Sequence, residues 1–197
     1  KPSESTIYTL MGDFANQFLD DALNMPVANY QTSMRKVFVD RSLDISACDE
    51  IDARFFEETQ KQFANIQQVV KDLELHPSMQ EGKASVHIEP SFFCEALGLQ
   101  GRMVCLVDMF DGKKVLLELK SGKWDEFRGR AKDEHLMQML LYKEILFYNT
   151  GQKQSEVIGS LLYSKYPKLQ EQRSFQDIVL RAMTIRNNIV ALELGLL

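Results

Sequence analysis

The sequence predicts an α/β domain in which a group of helices precedes a core of strands and helices with a mixed sheet. Apolar residues recur every three or four positions up to about residue 73, which is typical of amphipathic helices. From about residue 85 the apolar period falls to two, which is typical of strands. Asp111-Gly112, the dipeptide that most strongly signals a hairpin, lies between two of these strand-like runs.

Local signals then place each element in order. Pro26 ends the first helix, and Pro77 and Gly82 mark the segment HPSMQEGK as a loop. Gly151 stands where a left-handed residue closes a helix. We expect helices over about Ser5–Asn24, Thr32–Phe38 and Asp52–Leu73, strands at SVHIEP, GRMVCLVDMF and KKVLLELK, a helix over about Lys132–Asn149, a strand at EVIGSLLYSKY, and a helix over about Ser174–Glu193.

This order gives an α-β-β-β-α-β core at 52–197 with a helical addition at 1–50. The 197 residues, of which 45% are hydrophobic, match one globular domain. No apolar run approaches the roughly eighteen residues that span a bilayer, so we expect no membrane partner. The chain starts at Lys1 without a leader pattern, and we expect it to be a fragment of a longer protein.

Charge and cysteine content restrict the function classes. The net charge of −5 argues against a surface that binds nucleic acid throughout, but residues 113–132 carry seven basic and three acidic side chains. This positive segment is able to receive an anion, although charge runs are more often solvated surface. Three cysteines without a CxxC pair predict reduced thiols in a cytoplasmic setting, with neither a zinc site nor an iron–sulfur cluster.

Polar residues interrupt two otherwise apolar elements. Glu118 and Lys120 are two residues apart in the third predicted strand, so both lie on one face of it. A buried unpaired charge is costly, so the pair needs each other or a ligand, unless it is an ion pair at a sheet edge facing water. In the next helix, His135, Gln138 and Tyr142 share one face. Because that helix is otherwise apolar, these groups need partners, either within the core or in a polar pocket over the strand pair.

Four segments, in order, resemble the motifs of the RecB-type nucleases of the PD-(D/E)xK superfamily: GLQGR at 98–102, ELKSGK at 118–123, HLMQMLLY at 135–142 and LLYSKY at 161–166. Within that family the chain is most similar to the nuclease domain of the bifunctional helicase-nuclease that processes replication flaps. The resemblance implies a restriction-endonuclease-like fold and a metal-dependent nuclease of DNA replication and repair. The implied substrate is single-stranded or flap DNA, with a helicase domain in the same or a partner chain.

The resemblance also implies roles for single residues at the centre of the site. Glu118 would bind Mg²⁺ or Mn²⁺, hard cations that prefer oxygen ligands and lower the pKa of bound water. Lys120 would orient the attacking water or steady the charge on the scissile phosphate. Gln138 and Tyr142 would hold the substrate strand.

A second group of residues is assigned to nucleic-acid binding. Arg128 and Arg130 are placed to take phosphates, and Trp124 to stack on an unpaired base as in single-strand channels. The alternative for Trp124 is that it anchors a loop on the protein. Lys123 and His135 complete this predicted surface.

Two positions depart from the family's pattern. Three residues after Gly101, where the pattern has a metal-binding Asp, the chain has Val104; four residues after Gly12, where the pattern has a His, it has Asn16. Valine cannot bind a cation and asparagine offers one neutral oxygen, so negative charge and ligand number are lost. A degenerate fold that binds DNA or a partner protein without cutting is therefore the alternative to a nuclease, and a purely structural domain is a third reading.

Asp108 is the nearest candidate to replace the missing Asp as a metal ligand, and the register of the hairpin decides whether it does. A two-residue turn sends Asp108 to the opposite face from Glu118. A three-residue loop or a bulge puts both on one face, with an expected distance of roughly 8 Å between their α-carbons. Glu89 and Glu95 are further candidates, although each is more readily explained as a surface acid.

Overall fold

The structure is a computed structural model that describes residues 6–73, 84–109, 111–172 and 176–196. The predicted loop HPSMQEGK and the first residues of the last predicted helix lie outside these ranges. None of the helices in the described ranges has the length and apolarity needed to cross a membrane. The helices are α1 (Ile7–Asn24), α2 (Tyr30–Asp40), α3 (Ser42–Ser46), α4 (Ala53–Asp72), α5 (Asp133–Thr150) and α6 (Gln176–Glu193), and the strands are β1 (Ala84–Ile88), β2 (Ser91–Cys94), β3 (Leu99–Arg102), β4 (Cys105–Met109), β5 (Lys114–Lys120), β6 (Val157–Tyr163) and β7 (Leu169–Gln172).

Polar caps fix where several helices begin and end. The side-chain oxygens of Thr6, Asn29 and Asp52 accept hydrogen bonds from backbone N–H groups in the first turns of α1, α2 and α4. Gly151, with φ +69°, closes α5, and its amide donates to the Phe147 carbonyl at 2.8 Å. The prediction for Gly151 is therefore confirmed.

Five strands form one mixed sheet in the order β1-β4-β5-β6-β7. The pair β5 and β6 is parallel, and the other neighbours are antiparallel. Helix α5 makes the crossover that a parallel pair needs. Strands β2 and β3 form a separate antiparallel pair. The predicted mixed α/β class is confirmed by this arrangement.

Two apolar clusters lie on opposite faces of the sheet. On one face, Leu117 and Leu119 of β5 join residues of α1, α2 and α4. On the other face, Leu116 joins residues of α5 and β6. Because side chains alternate along a strand, Glu118 and Lys120 follow Leu116 onto the α5 side. The site is thus built on the second face, at the end of a central strand.

The prediction of GRMVCLVDMF as one strand is wrong. Met103 and Val104 lie outside any strand and divide the segment into β3, which pairs with β2, and β4, which pairs with β1 and β5. Strands β2 and β7 were not predicted, because four residues are too few for alternation to be distinguished from chance.

The β4–β5 hairpin has a three-residue connection. The Met109 amide donates to the Lys113 carbonyl at 2.8 Å, and Asp108 lies opposite Lys114. Asp108 and Glu118 therefore share a face, but four strand positions separate Lys114 from Glu118, which is roughly 13 Å. The expected distance of roughly 8 Å is wrong. It assumed that Asp108 lies two residues from the position opposite Glu118, whereas in this register the two are four residues apart.

Candidate active site

A continuous chain of hydrogen bonds connects the end of β5 to α5. The Lys120 ammonium donates to Oε1 of Glu118 at 2.9 Å and to Oε1 of Gln138 at 2.6 Å. Nε2 of Gln138 donates to the Tyr142 hydroxyl at 2.9 Å, and that hydroxyl donates to the Arg102 carbonyl at 2.9 Å. The structure thus brings together the four residues assigned from the sequence as catalytic, and we call Glu118, Lys120, Gln138 and Tyr142 the polar chain.

The polar chain lies mostly beneath the surface. Glu118 is 4% exposed and Tyr142 is 9% exposed, whereas the Lys120 side chain is 21% exposed. The ion pair therefore has one buried partner and one that reaches solvent. This is not the sheet-edge pair facing water that the sequence left open, because β5 is a central strand.

Glu118 has one oxygen without a partner. Oε2 is buried, and within the described part of the chain no donor meets it with hydrogen-bond geometry; the Val104 amide is near the carboxyl group but does not satisfy this oxygen. Burial raises the pKa of the Glu118 carboxyl, an effect that the Lys120 charge and hydrogen bond and the Val104 backbone amide only partly offset. A buried polar atom without a partner is costly, so this oxygen is a candidate to bind a cation or a donor from a ligand.

The packing of Tyr142 against Gly101 holds the polar chain in place. A Cβ added at Gly101 would lie 2.8 Å from Cε1 of Tyr142 and 3.1 Å from Cδ1 of Ile145. The tyrosine ring cannot move away without breaking its hydrogen bonds to Gln138 and Arg102. Only glycine fits at this position without displacing the ring.

Gly101→Ala is therefore expected to lower the free energy of unfolding by about 1–3 kcal/mol, because overpacking displaces Tyr142. Gly122→Ala is the matched control: an added Cβ there meets nothing within 4 Å, so we expect a change within about 0.5 kcal/mol. Urea unfolding of the three proteins measures both values. Equal stability of the two variants would contradict the close approach.

His135 lies close to Lys120 of the polar chain and is hydrogen-bonded to Tyr163. The Tyr163 hydroxyl accepts from the Lys132 amide at 3.1 Å and lies 2.8 Å from Nδ1 of His135. A hydroxyl has one donor and two acceptor positions, so it pairs with Nδ1 in either tautomer of the ring. Burial, and next the Lys120 charge, lower the His135 pKa, which favours the neutral ring at pH 7.

The two positions that depart from the family's pattern line one cavity. Asn16 and Val104 both border a cavity of about 410 Å³ formed by α1, α2 and the start of β4. Asp20 and Glu89 also border it, and burial raises the pKa of Asp20. Within the described residues no group of three or more His, Cys, Asp or Glu is placed to hold a metal ion. Neither substituted position supplies a carboxylate or an imidazole.

The other candidate acids are engaged elsewhere or exposed. The Asp108 carboxylate pairs with Lys114 and lies 2.9 Å from Nε2 of His87, so the structure does not bring it to Glu118 as a second metal ligand. Glu89 has the strained φ of +49° and pairs with Arg102. Glu95 is exposed.

The predicted nucleic-acid-binding residues are divided between a loop and α5. Lys123 pairs with Glu126 at 3.0 Å, while Arg128 and Arg130 both reach the Asp133 carboxylate, at 3.5 and 2.7 Å. These pairs are exposed, so each contributes little to stability and leaves the charges accessible.

Trp124 anchors its loop on the protein. Its ring stacks on Tyr166 with centroids 3.6 Å apart and an interplanar angle of 7°, and Nζ of Lys168 lies 5.0 Å from its centroid. Of the two alternatives for this residue, the geometry favours the anchor, because Tyr166 occupies a face that a base would need.

Two residues with a place in this region were not assigned from the sequence. Tyr163 holds the His135 ring through a hydrogen bond of 2.8 Å to Nδ1, and its position within LLYSKY was a usable signal. Phe127, in the loop after Trp124, is fully exposed, and no periodicity marks it.

Comparison with known proteins shows the fold and leaves the family open. No family model matches the chain, and no curated protein matches it. A crystal structure described as "Putative exonuclease" from Eubacterium rectale superposes with a TM-score of 0.52 at 12% identity, covering 99% of this chain and 70% of that one. The chain has a nuclease-like fold. At this identity the similarity does not extend to the family implied by the motifs.

Proposed function

We propose that the chain is a metal-dependent DNA nuclease domain that hydrolyses phosphodiester bonds of single-stranded or flap DNA. The observation that carries the proposal is the buried, unpartnered Oε2 of Glu118 at one end of the polar chain. Such an oxygen, beside a lysine at the end of a central strand, is suited to bind a cation together with a phosphate. By the resemblance, the domain works in DNA replication and repair, with a helicase domain in the same or a partner chain.

The donor set fits a divalent ion that arrives with its substrate. Mg²⁺ is commonly bound by one or two carboxylates together with phosphate oxygens and water. Glu118 would supply its Oε2, and the nucleic acid the remaining oxygens. When bound, the ion supplies charge neutralisation at the phosphate and a water of lowered pKa.

The residues of the chain then have separate tasks. The Lys120 ammonium has three donors, of which two are used by Glu118 and Gln138, so the third is available to a phosphate oxygen that becomes more negative during the reaction. Gln138 and Tyr142 fix the ammonium in place through their own hydrogen bonds. His135, whose pKa the Lys120 charge helps to lower, is near enough to Lys120 to contact the same phosphate group through its ring.

Glu118→Gln and Lys120→Met are each expected to reduce cleavage of labelled single-stranded DNA with Mg²⁺ or Mn²⁺ by about 100-fold or more. Asp108→Asn is the control, because Asp108 pairs with Lys114 and His87 away from the polar chain, and its rate should stay within about threefold of the native rate. Quenched-flow or gel analysis of product formation measures the rates. Unchanged cleavage in both site variants would contradict the assignment.

A second candidate function is a nuclease fold that binds nucleic acid or a partner protein without cutting. Val104 and Asn16, which border one cavity without supplying an acidic or imidazole ligand, favour this candidate. DNA binding that weakens as salt rises, without cleavage by the native chain, would support it over the first. If the chain showed no salt-dependent DNA binding, both the proposed nuclease activity and a non-cleaving DNA-binding role would be contradicted.

A further inference from the structure

Phe127 lies near the tip of a loop, and its ring is in solvent. It is 99% exposed, in the segment that connects β5 to α5. Single exposed apolar residues are common, so exposure alone assigns no role. What distinguishes this residue is the rigidity of the loop that presents it and the charges beside it.

The loop is held closed by its own hydrogen bonds. Asp125 and Arg130 form an antiparallel bridge, with N–H to carbonyl distances of 2.9 and 3.3 Å. The Asp125 carboxylate accepts from the Arg128 amide at 3.0 Å, and Gly129 has φ +63°, the conformation that a tight turn of this kind needs.

A second set of contacts fastens the loop to the turn after β6. Trp124 stacks on Tyr166, and the Tyr166 hydroxyl donates to Glu126 at 2.5 Å. Phe127 is therefore presented by a pre-formed loop, and little conformational entropy is lost when a flat ligand contacts the ring.

Exposed basic side chains flank the ring. Arg128 and Arg130 follow it in the chain, and Lys123 precedes it. They pair with the exposed carboxylates of Glu126 and Asp133, and Arg128 also with the partly exposed Asp125. Exposed pairs of this kind are weak, so a phosphate is able to replace a carboxylate at little cost. An aromatic ring flanked by cations matches a nucleic-acid strand, in which each base is attached to a sugar that lies between two phosphates.

The loop also leads directly from one part of the site to the other. Lys120 ends the strand before it, and His135 lies in the first turn of the helix after it. A strand bound along the loop would thus meet the polar chain at one end.

We propose that Phe127 stacks on an unpaired base of single-stranded nucleic acid, while Arg128 and Arg130 take the adjacent phosphates. This inference rests on the proposed function and adds to it a base-binding position outside the polar chain. Every base has a face on which an aromatic ring stacks, so the contact is expected to tolerate any sequence with only modest preferences.

Fluorescence anisotropy with a labelled oligothymidylate, in EDTA and low salt, tests the contact without cleavage. Phe127→Ala is expected to weaken binding about 5- to 100-fold, and Phe127→Tyr to restore most of it. Phe93→Ala is the matched control, because Phe93 is 61% exposed on β2, and its affinity should stay within about twofold. Trp124 is the single tryptophan, so its emission should also change on binding to the native loop.

A chain of abasic phosphodiester units separates base stacking from charge. The native protein should bind it as weakly as Phe127→Ala binds oligothymidylate, and Phe127→Ala should bind both probes alike. If Phe127→Ala lost the same affinity for both probes, or bound oligothymidylate as tightly as the native protein, the stacking position would be overturned and the proposed function would remain. Failure of the native protein to bind either probe would instead contradict the proposed function.

Discussion

Lys120→Met is expected to lower the free energy of unfolding by about 2–4 kcal/mol at pH 8, because it leaves the buried Glu118 carboxylate without a counter-charge. Methionine keeps most of the apolar stem, so the change isolates the ammonium. Urea unfolding measures the effect. The loss should be much larger than for a surface lysine, since Glu118 is almost fully buried and its second oxygen already lacks a partner.

The destabilisation by Lys120→Met should shrink as the pH falls. The Glu118 pKa is raised in the folded protein, so the folded state binds the proton more tightly than the unfolded state does. Stability from this group is therefore present at acidic pH and is lost as the pH rises from the ordinary glutamate value through the folded pKa. Without Lys120 the folded-state pKa of Glu118 rises further, because the main influence that lowers it is gone. The pH range over which stability falls then extends to higher pH. The deficit at pH 5 should be smaller than at pH 8.

Two further variants make the interpretation of this loss specific. Lys123→Ala breaks an exposed pair with Glu126 and should change stability by less than about 0.5 kcal/mol. Adding Glu118→Gln to Lys120→Met should recover part of the loss, because no charge then remains buried. A pH-independent deficit, or no recovery in the double variant, would contradict the burial of an ionised carboxylate.

Val104→Asp is expected to make the stability of the protein depend on a divalent cation. Continuing the β4–β5 register one residue beyond the Cys105–Leu117 pair brings position 104 opposite Glu118, and the Val104 backbone amide already influences that carboxyl. We therefore expect the new carboxylate to be repelled by Glu118 in EDTA, at a cost of about 2 kcal/mol. With Mn²⁺ at about one hundred times its dissociation constant, the ion should return about 2.7 kcal/mol. With two carboxylates and water, Mn²⁺ has enough oxygen ligands to bind without substrate. With Glu118 alone, it needs substrate oxygens as well.

Val104→Asn is the control for this prediction, since it adds polarity without charge and should respond little to Mn²⁺. Unfolding in EDTA and in Mn²⁺, together with calorimetric titration of the ion, gives both quantities. A Val104→Asp protein that is as stable as the native one in EDTA and indifferent to Mn²⁺ would show that position 104 does not face Glu118.

Sequence periodicity predicted the long elements well and the short ones poorly. The apolar stripe of α4 continues over several turns, so its period is clear, whereas α5 is marked by the length of its apolar run and by Gly151 at its end. The division between β3 and β4 could not be predicted, because Met103 and Val104 are as apolar as the strands they separate. Only the pairing of the two halves with different sheets distinguishes them.

For the site, spacing sufficed where the residues lie on one element. Glu118 with Lys120, and Gln138 with Tyr142, follow from the periods of a strand and a helix. The relation of Asp108 to Glu118 depends on the number of residues in the turn, which the Asp111-Gly112 signal leaves open although it correctly predicts the hairpin. The unpartnered oxygen of Glu118 is a property of the packed interior and has no counterpart in a linear pattern.

The three-residue connection between Met109 and Lys113 decides which face of the sheet each side chain of β5 occupies. A two-residue turn formed by Asp111 and Gly112 in the same sequence would shift the pairing of β4 and β5 by one, and each side chain of the displaced strand would change faces. Leu117 and Leu119 would then face the pocket, and Glu118 and Lys120 would face the apolar cluster under α1. The conformation of a surface turn thus decides which side chains the interior presents to a ligand.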